Sequence, residues 1–246
     1  MSIPKIIHYC WFGGGAISPE NRKCMESWKK YCPDYKIMAW NDQNFDISTN
    51  RYAQQAYEAK KYAFVSDYVR LAVLYEYGGI YLDTDVELVR PLDELLELPG
   101  FMGFQTNNEV ATGLGFGARK GNSVVQALLR DYDALDFLKA DGSADLTPCP
   151  ERNTRVLQAL GVRKDGTRQS IAEMEIFPAE YFCPMDFYSR ELRVTPKTYS
   201  IHRYAESWKP KPSAVSRILQ RLLKKHYYTW YCPLRGRIEG RLRKRT

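Results

Sequence analysis

The sequence predicts an α/β fold, on three observations. Short runs of β-branched and aromatic residues alternate with stretches of helical spacing. One of those helical stretches is apolar almost all round. And 44% hydrophobic residues, with 13% aromatic, supply ample material for a core in a chain of 246.

Residues 5–12 (KIIHYCWF) read as a first strand, closed by Gly13, Gly14 and Gly15. Helical spacing follows over residues 18–31, and residues 35–41 (YKIMAWN) form a second strand. Residues 50–79 hold two helical segments, the later one spanning 62–77 and stopping at Gly78. Ala63, Phe64, Val65, Val69, Leu71, Ala72, Val73 and Leu74 leave that helix little polar face, so it should lie under a sheet, and any charge inside it needs a reason. Next come a strand at IYLDTD (residues 80–85), a Pro-punctuated turn, strands at 100–105 and 112–118, and a helix at 123–135. Residues 136–169 mix loops with one helix near 153–160, and residues 172–184 and 197–202 read as closing strands. Pro210 and Pro212 separate a body, residues 1–212, from a tail, residues 213–246.

The tail carries ten Lys or Arg against Glu239, so the other 212 residues hold a net −2 of the chain's +7. The basicity therefore says little about the body. With no groove-binding motif and no basic stripe elsewhere, no nucleic-acid partner is expected. Ile218, Leu219, Leu222 and Leu223 at helical spacing, with Tyr227, Tyr228, Trp230 and Tyr231, make the tail a candidate for an anionic membrane surface; a solvated helix packed on the body is the alternative. The six cysteines lack any Cys-x-x-Cys pair, and no apolar run reaches membrane-helix length or resembles a secretory signal. The expected location is cytoplasmic, with a possible peripheral seat at the inner face of the cell membrane.

The chemistry concentrates in GGIYLDTDV, residues 78–86. Asp83 and Asp85, two apart on a strand, would share one face and repel unless compensated. A divalent cation compensates such a pair and also takes phosphate oxygens, which suits a nucleotide diphosphate; solvated turn acids are the other reading. Asp67 and Arg70, three apart, share a face of the buried helix. They form either a structural ion pair or a site, the Arg gripping a hydroxyl or phosphate and the Asp accepting from ring hydroxyls.

Residues 62–95 (YAFVSDYVRLAVLYEYGGIYLDTDVELVRPLDEL) resemble the signature of the glycosyltransferases with an Asp-x-Asp sugar-binding region, glycosyltransferase family 32, which includes capsular-polysaccharide transferases and the initiating α-1,6-mannosyltransferase. IPKIIHYCWFGG is similar to that family's first strand, and a more distant likeness runs to the glucosylating clostridial toxins. The resemblance implies a GT-A-like fold with a mixed central sheet, largely parallel, and a metal-dependent hexosyltransferase using Mn²⁺ or Mg²⁺. It implies Asp85 as metal ligand, Asp83 on the donor, Asp67 and Arg70 on the transferred sugar, Trp11 stacked on the base and Tyr81 near base or ribose. Retention of configuration, by front-face attack of the acceptor hydroxyl, is likewise implied.

In SIHRYAESWKP, His202 is expected as a further metal ligand or pyrophosphate contact, with Ser207 and Trp208 closing over the donor. His8 reads as a core residue bonded to backbone. Residues 113–122 (GLGFGARKGN) lack phosphate-loop spacing and read as strand and turn beside an acceptor cleft, to which Asp145, Thr147 and Asn153 are also assigned. The expected donor is a nucleotide diphosphate sugar, UDP-Gal, UDP-Glc or UDP-GlcNAc ahead of GDP-Man, and the acceptor a saccharide or lipid-linked saccharide in surface polysaccharide synthesis. A non-catalytic nucleotide-sugar-binding protein and a membrane adaptor acting through the tail are the competing functions.

Overall fold

The structure, a computed structural model, describes residues 2–187 and 189–205. The elements run β1 (Ile6–Cys10), α1 (Pro19–Tyr31), β2 (Lys36–Trp40), α2 (Arg51–Glu58), α3 (Tyr62–Tyr77), β3 (Gly79–Tyr81), β4 (Val86–Leu88), β5 (Gly100–Phe104), β6 (Val110–Ala111), β7 (Phe116–Ala118), α4 (Ser123–Asp133), α5 (Cys149–Ala159), β8 (Gln169–Ile171), β9 (Met174–Phe177), α6 (Ala179–Phe182) and β10 (Ser200–His202). Among the described residues no helix is long and apolar enough to cross a membrane. The proposed tail lies outside them.

The α/β class and the mixed central sheet are as expected. Eight strands form one sheet in the order β2-β1-β3-β7-β5-β9-β8, with β6 on β5. The strands β2, β1 and β3 are mutually parallel, and β7 then runs antiparallel to both β3 and β5. Largely parallel is therefore a correct description of the first half only. A second sheet pairs β4 with β10, antiparallel, bringing Ser200 opposite Leu88 and His202 opposite Val86. The closing strand expected over residues 172–184 ends at Phe177: Pro178 lacks the N–H a ladder needs, and α6 starts after it.

Two apolar clusters fill the two faces of the main sheet. One joins α2, α3 and α4 to the sheet through Tyr52, Val65, Val69, Leu128 and Tyr132; the other joins α1, β4 and α6 through Trp28, Val86, Leu88 and Phe182. Helix α3 buries Phe64, Val65, Val69, Leu71, Val73 and Leu74 around most of its circumference, as its composition predicts. It ends at Gly78, whose φ is +66° and whose N–H returns to the Leu74 carbonyl. The helix passes directly into β3 at Gly79, φ +107°, where a Cβ would stand 2.8 Å from the Ile6 carbonyl oxygen and 2.9 Å from His8 Nε2. His8 is a core residue: Nε2 donates to the Gly78 carbonyl (2.8 Å) and Nδ1 accepts from the Trp40 indole (3.0 Å). Burial lowers its pKa to about 4, so it is neutral, and it locks the joint that aims β3.

Candidate active site

Strand β3 stops at Tyr81, earlier than the IYLDTD reading expects. The Asp83 N–H bonds the Gly113 carbonyl (3.0 Å), and the Val86 N–H closes back on the Asp83 carbonyl (2.9 Å). The two acids are thus the first and third residues of a tight turn between β3 and β4, not neighbours on one strand face. Asp at the first position of such a turn is favoured, which explains why the strand ends here.

One half of the site hangs on α3. Arg70 Nη2 lies 3.0 Å from Asp67 Oδ1 and 3.3 Å from Asp83 Oδ1, while its Nε donates to the Ser66 carbonyl (3.0 Å). The guanidinium carbon stacks 4.8 Å from the Tyr81 ring centroid, and the Tyr81 hydroxyl donates to Asp83 Oδ1 (3.0 Å). Asp67 and Arg70 are both buried. Burial raises the Asp67 pKa to about 6 against the pull of Arg70, with Asp83 adding to the rise. Two carboxylates on one arginine leave an acidic excess here, pointed at the turn.

Gly113 makes this packing possible. A Cβ there would fall 1.9 Å from Asp83 Oδ2 and 3.1 Å from Arg70 Nη1. Residue 113 was expected beside an acceptor cleft; it is instead the floor under the first acid of the turn.

The other half is assembled from the far end of the chain. His202 Nε2 lies 3.2 Å from Asp85 Oδ1, the Ala205 N–H donates to Asp85 Oδ2 (2.8 Å), and the Arg203 N–H donates to the Asp85 carbonyl (3.0 Å). Burial alone would raise the Asp85 pKa, but the His202 charge and hydrogen bond with the Ala205 amide hold it at about 2. His202 is correspondingly raised, Asp85 outweighing the effect of burial.

Asp83, Asp85 and His202 each offer a ligand atom, and these atoms lie within 4.8 Å of one another. Two carboxylates and an imidazole fit Mn²⁺ or Mg²⁺, which accept oxygen donors and, for Mn²⁺, nitrogen. The buried Nδ1 of His202 has no hydrogen-bond partner among the described residues, so Nε2 is the nitrogen fixed toward the acids. Asp83 thus belongs both to this group and to the Arg70 pairing.

Other expected residues sit as follows. Trp11, just past β1, is half-buried, and its indole N–H donates to the Gly15 carbonyl inside the glycine loop. Tyr81 is 1% exposed, its ring against the Arg70 guanidinium and its hydroxyl on Asp83. Asp145 accepts from Thr147 and pairs with Arg152 at 3.0 Å, and Asn153 is buried against Thr112 and Cys149. Ser207 and Trp208 lie outside the described residues. Thr84, Asn21 and the Ala205 amide belong to the site's support and escaped the sequence reading.

A carboxylate turn capable of holding a cation thus lies beside a buried Asp–Arg pair, where parallel strands give way to antiparallel ones. Residues 18–101 match the family described as glycosyltransferase sugar-binding region containing DXD motif. Over that stretch the chain is similar to the glycosyltransferases that carry this region. Over 151 residues it is 30% identical to inositol phosphoceramide mannosyltransferase 3 of Schizosaccharomyces pombe, covering 55% of this chain and 39% of that protein. Over 148 residues it is 28% identical to human alpha-1,4-N-acetylglucosaminyltransferase, covering 60% and 38%. The chain thus spans about two fifths of the length of these two relatives. Among solved structures it is similar to the PaToxG glycosyltransferase (TM-score 0.49, 22% identity, 64% of this chain and 70% of that one).

Proposed function

We propose that the protein is a metal-dependent, retaining hexosyltransferase taking its sugar from a nucleotide diphosphate donor, with UDP-sugars favoured over GDP-mannose. The observation that carries the proposal is the convergence of Asp67, Arg70, Asp83, Asp85 and His202 on one turn. Asp67 and Asp83 accept from hydroxyls of the transferred sugar, and Arg70 fixes the two carboxylates at the spacing those hydroxyls require. Asp85 and His202, with Asp83 at the edge, would hold Mn²⁺ or Mg²⁺. Such an ion, when bound, supplies positive charge for the departing diphosphate. Trp11 offers its ring to the base.

The acceptor is a saccharide or a lipid-linked saccharide of a surface polysaccharide. The relatives named as inositol phosphoceramide mannosyltransferases support a lipid-linked acceptor, and the basic tail supports a seat on the anionic inner face of the cell membrane. The test is release of free sugar from UDP-Gal, UDP-Glc, UDP-GlcNAc and GDP-Man with and without Mn²⁺. One donor should be hydrolysed, dependent on Mn²⁺ and on Asp85. Hydrolysis of none would favour a binding protein that has kept the pocket.

A further inference from the structure

We propose that Asn21 is a positioning residue of the acidic turn: through the Thr84 hydroxyl, α1 sets where the Asp85 carboxylate lies. The inference rests on the transferase reading above and names what aligns its metal-holding half.

Helix α1 starts from a Ser18 cap, with Pro19 next, and buries one stripe, Asn21, Cys24 and Trp28. Three hydrogen bonds run from this side of the helix to the turn and the strand that follows it. Asn21 Nδ2 donates to Thr84 Oγ1 (2.9 Å), Trp28 Nε1 donates to the Val86 carbonyl (2.7 Å), and Ser27 Oγ accepts from the Leu88 N–H (2.8 Å). Residues 84, 86 and 88 are therefore tied to α1. The residues between them take partners from the opposite side: Asp85 from His202 and Ala205, Glu87 from Arg203. From Val86 to Leu88 this is the alternation of an extended chain, and Thr84 and Asp85 are the central residues of the turn before it. Thr84 stands between the two acids, so a shift at its anchor changes the angle between Asp83 and Asp85.

The energetics of Asn21 point the same way. It is 1% exposed on an otherwise core-facing stripe, and its Oδ1 has no hydrogen-bond partner among the described residues. A half-satisfied buried amide is a poorer core residue than leucine. What the amide contributes is the bond to Thr84, a matter of geometry more than of stability.

The test compares wild type with Thr84→Ser, Thr84→Val and the double variant Asn21→Leu/Thr84→Val, which removes both partners of the bond. Thermal unfolding, amide exchange at Arg203 and Ala205 in metal-free protein, and Mn²⁺ affinity by calorimetry are the three readouts. The double variant should melt at or above the wild-type temperature, since removing both partners is close to neutral. Its Ala205 amide should exchange faster, and its Mn²⁺ affinity should fall about 10-fold. Thr84→Ser should restore wild-type exchange and affinity, and Thr84→Val, which leaves α1 intact, should reproduce the double variant's loss. Unchanged Ala205 exchange together with unchanged Mn²⁺ affinity in both valine variants overturns the proposal. Failure of wild type itself to bind Mn²⁺ sinks the transferase reading instead, while the exchange measurement still decides whether Thr84 is an anchor.

Discussion

The two halves of the acidic site are built by different means. The half on α3 and β3, Asp67, Arg70, Tyr81 and Asp83, lies within one helix–strand unit and is held by a buried arginine between two carboxylates. The half on β4 and β10, Asp85 with His202 and Ala205, joins residues 117 and 120 positions apart through the pairing of those strands. The contrast teaches that charge pairing can fix a site from local sequence, whereas geometry borrowed from a distant strand needs the completed fold.

Removing the arginine breaks the first half most severely. Arg70→Leu strands Asp67 as a buried carboxylate without its counter-charge, and unfolding in denaturant should show a loss of about 3–5 kcal/mol. Asp85→Ala attacks the other half without that penalty: donor hydrolysis should fall by about 100-fold or more, with the circular dichroism spectrum unchanged. A stability loss as large as that of Arg70→Leu would erase the distinction between the halves.

Acid should weaken the joint beneath the half on α3 and β3. The folded pKa of His8, about 4, lies below the ordinary 6.5, so the folded state binds fewer protons than the unfolded one. Its stabilisation is present above pH 6.5 and is lost as pH falls toward 4. Denaturation at pH 7 and pH 5 should differ by about 2 kcal/mol from this group. His8→Gln should remove that part of the slope. Gly113→Ala is the mildest change, pushing on Asp83 from below; kcat/KM for the donor should drop about 10-fold, a shift of about 1.4 kcal/mol, while Mn²⁺ binding through Asp85 and His202 is disturbed less.

The same contrast explains what could be read in advance. Helix α3 and its two charges were legible because an all-apolar helix makes any interior Asp or Arg conspicuous, and its observed span matches the spacing. The carboxylate pair was visible as a motif but misplaced on a strand, because the β-formers before it outweighed the turn preference of Asp83, whose carbonyl closes on the Val86 N–H. The glycine at 113 was noticed for its neighbours, yet its reason is a contact with Asp83 that nothing nearby in sequence signals. Strands β4, β6 and β8, two or three residues each, carry too little alternation to detect. His202 stood out as one of three histidines, but its pairing with Asp85, and the anchoring of Thr84 by Asn21, arise only when β10 and α1 close on β4.

In the proposed function, Asp85 and His202, beside Asp83, would hold a divalent cation for a nucleotide diphosphate donor. Calorimetric titration of Mn²⁺ into the protein with saturating UDP tests it most directly. The account predicts one saturable site in wild type that is lost in Asp85→Ala and weakened in His202→Ala. Equal Mn²⁺ binding by all three proteins would contradict it.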